Sequence, residues 1–120
     1  MDYMILIHAD ETAVVPNPGT PEFDEYLGAW TGYNQRLIDG GHWIAGGSLQ
    51  GTDTATTIRR SAPGTQSVTD GPYTETEEQL GGFYLVRAAD LDEALDLAGG
   101  IPIPSASIEV RPVKFRPDAA

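Results

Sequence analysis

A chain of 120 residues is enough for one compact domain around one hydrophobic core and too short for two. Apolar residues at 40% and charged residues at 21% exclude disordered and fibrous classes, and 14 Gly with 9 Pro point away from a helical bundle, toward short elements joined by tight turns. Eighteen acidic residues against seven basic give a net charge of −11, which repels phosphate backbones and anionic lipid and argues against direct nucleic-acid or membrane binding.

The basic pairs and near neighbours Arg59, Arg60, Arg111, Lys114 and Arg116 read as solvated strand ends. With no cysteine, disulfides, thiol nucleophiles and thiolate metal sites are all excluded. No apolar run is long enough for a bilayer, and Met1-Asp2-Tyr3 opens without a basic stretch followed by a hydrophobic one, so the expected location is the cytoplasm.

In chain order, Tyr3-Met4-Ile5-Leu6-Ile7-His8 reads as a central strand, because Tyr3, Ile5 and Ile7 make one apolar face and Met4 and Leu6 the other. A loop follows over Ala9 to Gly19. Thr20-Pro21-Glu22 starts a helix, with Thr20 as N-cap, Pro21 at the first helical position and the acids Glu22 and Asp24 near the positive end. Phe23, Tyr26, Leu27, Trp30, Leu37 and Ile38 recur as its apolar stripe. Gly28 and Gly32 weaken it by about 1 kcal/mol each, and Gly40-Gly41 ends it.

A second strand is expected over His42 to Leu49, its glycines allowing a bulge or a close approach. Ala55 to Arg60 and Gln66 to Thr69 flank the turn Ala62-Pro63-Gly64 and read as a hairpin. After Asp70-Gly71-Pro72, the acidic segment Thr74 to Gln79 reads as one helical turn and Phe83 to Arg87 as another two-faced strand. Asp90 and Glu93 form a capping-box pattern for a second helix with Leu91, Ala94, Leu95 and Ala98 on its apolar face. Ile108 to Arg111 alternates as the last strand.

This order gives two β-α-β halves, hence an α+β ferredoxin-like sandwich with a hairpin insertion. Helices cover one sheet face in such a fold. The two-faced strands need a second cover, and a homodimer packed sheet to sheet supplies it.

The stretch Val68-Thr69-Asp70-Gly71-Pro72-Tyr73 through Gly81-Gly82-Phe83-Tyr84-Leu85 resembles the defining DGPF segment of the YCII-related family. The opening Tyr3 to Ile7, the helix start Leu91 to Leu95 and the closing Ile108 to Val113 fit the same pattern, so the resemblance covers residues 1–116 as a single domain, with 117–120 as a tail. It implies a dimeric α/β barrel of ferredoxin-like protomers and no defined activity. Some relatives carry a His–Asp pair suspected of acid/base work, and others are linked to extracytoplasmic-function sigma factors. Tyr73 stands where the motif usually has Phe, Glu77 where Lys is common, and Trp30 falls at the helix position of the suspected histidine in shorter relatives.

Asp70 at a strand end suits a cleft as a general base, or caps its own turn. His8, sharing a face with Met4 and Leu6, pairs with Asp70 as an acid/base couple or is a packing residue. His42, after a helix C-terminus, reads as structural. Neither histidine has metal-ligand spacing, Gly46-Gly47-Ser48 and Gly81-Gly82 lack phosphate-loop spacing, and no cofactor is expected. Most aromatic residues read as core and dimer contact, with Trp30, Tyr73 and Trp43 assigned to a small apolar pocket near the Asp70-Gly71-Pro72 turn. The leading expectation is a homodimeric small-ligand-binding or auxiliary domain. The alternatives are a cofactor-free lyase, isomerase or oxygenase and a protein partner of a sigma factor.

Overall fold

The computed structural model describes residues 1–13 and 15–117, so most of the expected tail lies outside the described residues. Strand β1 (Asp2–Asp10) is followed by helix α1 (Pro21–Asp39) and strand β2 (Trp43–Ser48). After one 3₁₀ turn come β3 (Thr56–Ser61), β4 (Thr65–Asp70) and the long β5 (Glu78–Arg87), then α2 (Leu91–Gly99) and β6 (Ser107–Pro112). Strands β2, β5, β1 and β6 form one sheet in that order, every neighbouring pair antiparallel. This is the α+β ferredoxin-like arrangement.

The strand pattern explains the packing. Tyr3, Ile5 and Ile7 of β1 alternate onto the helix side and are buried, as are Tyr84 and Val86 of β5. They meet Tyr33 and Leu37 of α1 and Ala94 and Ala98 of α2 in one core. The small alanines let α2 lie close to the sheet. Met4 and Leu6 of β1 and Phe83 and Leu85 of β5 point to the other face, where no helix lies.

Both helix starts follow from their caps. Thr20 Oγ1 accepts from the Phe23 amide at 3.2 Å, with Pro21 leading the helix. Asp90 Oδ1 accepts from the Glu93 amide at 2.9 Å, and Glu93 Oε1 accepts from the Ala89 amide at 2.9 Å, one residue before the expected reciprocal partner. Tyr33 Oη donates to the Leu97 carbonyl at 2.7 Å and ties α1 to α2.

The hairpin β3–β4 forms a separate two-stranded sheet, turned at Gly64, and almost all of it is exposed. The segment Thr74 to Gln79 differs from expectation: it makes no helical turn, and β5 begins within it at Glu78. The Gln79 amide donates to the carbonyls of Thr74, at 2.7 Å, and Thr76, at 3.1 Å, so side chains satisfy carbonyls that a helix would use.

Candidate functional site

Helix α1 carries Tyr26, Trp30 and Asn34 at successive spacings of four, so they form one row along the helix. That row overhangs the sheet at the end where β1 and β5 extend past the core, with Leu27 at its side. Beneath it, Ile7 and Ala9 of β1 form the floor, and Ile103, in the loop after α2, lies at the margin. Tyr84 of β5 and Trp43 of β2 form an aromatic wall, ring centroids 5.9 Å apart and interplanar angle 77°. Between helix and sheet lies a cavity of about 450 Å³.

Glycine makes this wall possible. A Cβ on Gly46 would stand 2.8 Å from Trp43 Cη2 and 3.0 Å from Tyr84 Cδ1, closer than packed carbons tolerate. The strand pairing also shifts between Trp43 and Ala45, which brings Trp43 onto the helix side opposite Val86. Tyr84 is fixed twice: its ring meets Tyr33 edge-on at 5.4 Å, and its hydroxyl donates to Asn34 Oδ1 at 2.6 Å.

Besides the two indoles, the polar side chains that line the cavity are Asn34, Ser48 and the phenols of Tyr26 and Tyr84. Trp30 Nε1 is buried and has no hydrogen-bond partner among the described residues. Asn34 has its oxygen engaged by Tyr84, and its Nδ2 hydrogens have no acceptor among the described residues. Burial pushes the Tyr33 phenol up to about 12 and raises that of Tyr84 as well, so both stay neutral donors at physiological pH. No lining side chain is acidic, basic or a histidine.

The residues expected from sequence fall in three places. Trp30 and Trp43 line the cavity together. Tyr73 does not: it is 73% exposed, with the Arg59 guanidinium 5.3 Å from its ring centroid. Asp70 ends β4 opposite Thr56, exposed, in the two-stranded sheet. Its turn is held instead by backbone and a threonine, the Gly71 amide donating to Ala55 O at 2.8 Å and Thr57 Oγ1 to Gly71 O at 2.7 Å. Gly71 has φ +108°, a conformation that requires glycine.

His8 lies on the open sheet face between Leu80 and Ser107, its Nε2 3.6 Å from Glu109 Oε1. No hydrogen bond or ion pair joins His8 to Asp70, so the expected couple is not assembled within the chain. The expected pocket near the Asp70 turn is displaced for a physical reason: that turn belongs to the exposed hairpin, which has no apolar layer to hollow out. What lies beside Pro72 is a wide, open depression edged by the carboxylates of Asp10, Glu11, Glu75 and Glu77. Asn34 and Tyr26 were not anticipated as lining residues, although their spacing of four on either side of Trp30 was the available signal.

A ferredoxin-like domain with an uncharged aromatic cavity under its first helix and an apolar sheet face without helices defines a class of small α+β domains. A family model for the YCII-related domain matches residues 1–116. The chain is also 39% identical, over 117 residues, to an uncharacterized protein of Rhizobium meliloti (strain 1021), with 94% of this chain and 92% of that protein covered. The chain belongs to the YCII-related family.

Proposed function

We propose that this chain is a small-ligand-binding domain that works as a homodimer, its ligand held in the cavity between α1 and the sheet. The observation that carries the reading is the cavity of about 450 Å³ itself, walled by the aromatic side chains of Trp30, Trp43 and Tyr84. The volume is in the range of small-molecule sites. Acid/base turnover is the weaker reading, because the lining offers no carboxylate, imidazole or amine to move a proton.

The dimer rests on the second sheet face. Met4, Leu6, Phe83 and Leu85 make a contiguous apolar strip, bordered by Glu109 and Arg111, which pair with each other at 2.8 Å. A second copy is the cover such a strip calls for. The test of binding is a ligand-observed NMR screen of fragments against the wild type and against Ala9→Leu, which extends a side chain into the cavity from its floor. Hits are expected on the wild type and are expected to vanish from the filled variant. Hits that persist unchanged in Ala9→Leu would place binding elsewhere.

A further inference from the structure

We infer that the occupant of this cavity is a flat, uncharged ring system, slotted between the aromatic side chains of α1 and a floor made largely of backbone. This rests on the reading of the cavity as a binding site and adds the chemical class of its ligand.

The floor carries the shape argument. Strand side chains alternate between the two sheet faces, and on β5 Tyr84 and Val86 face the helices. Gly82 falls on that same face, and the Cβ it lacks would stand 3.9 Å from Ile7 Cδ1. On β2, a Cβ at Gly46 would meet Trp43 and Tyr84, and one at Gly47 would meet Phe83 on the opposite face. Ser48 therefore returns to the helix side. Ser48, Gly82 and Ile7 stand in register across β2, β5 and β1, and Ala9 follows Ile7 two residues on. Beneath the core the sheet is clad in large side chains, at Tyr3, Ile5 and Val86, whereas at the cavity it is almost stripped of them. Such a slot favours a ring face. A planar ring lies against exposed backbone over its whole area and gains stacked or edge contacts with Tyr26 and Trp30, which a puckered ring or a flexible chain does not.

Charge narrows the class. The chain carries 18 acidic and seven basic residues, yet none of them lines the cavity. A phosphate, carboxylate or ammonium enclosed there loses its hydration and finds no counter-ion. The polar groups at hand include the hydroxyls of Ser48 and Tyr26, which both donate and accept, so they match a ring hydroxyl, a ring nitrogen or a ring carbonyl alike.

The test is calorimetric titration of the whole chain, at about 0.15 M salt, with 2-naphthol, trans-decahydro-2-naphthol, 2-naphthoate and 2-naphthylmethylammonium. The two alcohols share a skeleton and a hydroxyl and differ in flatness. Naphthol is expected to bind about threefold or more tighter than the puckered alcohol, the worth of an aromatic contact. Both charged probes are expected to bind at least about tenfold more weakly than naphthol. A net charge of −11 attracts a cation, so weak binding of the ammonium probe reports on the lining itself. Tyr26→Leu, which deletes a ring above the slot, is expected to shrink the naphthol advantage about twofold or more. Ser48→Ile, which raises the floor at an exposed strand position that suits a β-branched side chain, is expected to weaken naphthol severalfold.

Equal affinity for the flat and puckered alcohols, a charged probe that binds as tightly as naphthol, or naphthol binding untouched by both variants overturns the assigned class. In each of those cases some probe binds, and its loss in Ala9→Leu keeps the cavity as a binding site while the class falls. Failure of all four probes to bind at millimolar concentration, or naphthol binding unchanged in Ala9→Leu, overturns the site and the class together.

Discussion

At Trp30 the indole N–H is withheld from water and from every described protein acceptor. Its neighbours on α1 make the opposite choice: Tyr33 donates to Leu97 O and Asn34 accepts from Tyr84. Tyr33→Phe is accordingly expected to cost about 1 kcal/mol in thermal or urea unfolding, by freeing the bond that joins the two helices. A melt identical to wild type would remove that bond from the account. Asp70→Ala is expected to change stability by less than about 0.5 kcal/mol, because its side chain is exposed and its turn is closed by other groups. A loss near 1 kcal/mol would restore the turn-cap reading of that residue.

Asp2 supplies the pH dependence at this scale. Arg116 donates to Asp2 Oδ2 at 2.7 Å and, by that hydrogen bond first and by its charge, holds the Asp2 carboxyl below the ordinary carboxylate range. A carboxyl pKa lowered by folding stabilises the native state above its unfolded value, and the gain is lost as pH falls through the folded value. Wild type should therefore exceed Asp2→Asn by up to about 1 kcal/mol at neutral pH, the two converging as the medium is acidified. A difference that stays constant through the acid titration contradicts this.

Elements were legible in the sequence to the extent that local chemistry decides them. Thr20-Pro21 and Asp90 to Glu93 announced both helices, and the two-faced run Tyr3 to Ile7 announced a central strand, because caps and alternation act within a few residues. The Thr74 to Gln79 segment departs from the helical turn its acidic composition permits, because the Gln79 side chain bonds carbonyls within the segment. The site was half legible. Trp30 and Trp43 were identifiable as large aromatics on a helix face and a glycine-rich strand. The pairing of Asp70 with His8 rests on acid/base chemistry and that of Tyr73 with the tryptophans on aromatic character, and nothing local reveals that the DGP turn sits on a hairpin apart from the main sheet. Within α1, Gly28 and Gly32 have open space where a Cβ would stand, so Gly32→Ala should raise stability by about 0.5–1 kcal/mol in urea unfolding. A neutral or destabilising result would mean that this helix face is covered in the assembled protein.

The molecule as a whole is extended for its length. Its radius of gyration is 16.7 Å, with extents of 48 × 37 × 27 Å, where about 14 Å is typical for 120 residues. Of the described helices none is long and apolar enough to cross a membrane. The proposed dimer rests on the sheet face without helices, and Leu6, in the middle of its apolar strip, is the position to perturb. Leu6→Asp is expected to convert a dimer to a monomer or to an unfolded chain in light scattering paired with circular dichroism. A folded dimer carrying that aspartate would contradict sheet-to-sheet packing.

The cavity is the centre of the account, and its two tryptophans make it directly observable. A chain with only Trp30 and Trp43 gives two indole N–H signals in a ¹⁵N–¹H correlation spectrum, and Trp30→Phe identifies them. On titration with a fragment that binds the wild type and not Ala9→Leu, both indole signals should move saturably, because both rings line the cavity. Indole signals that both stay fixed while such a fragment binds would contradict the account.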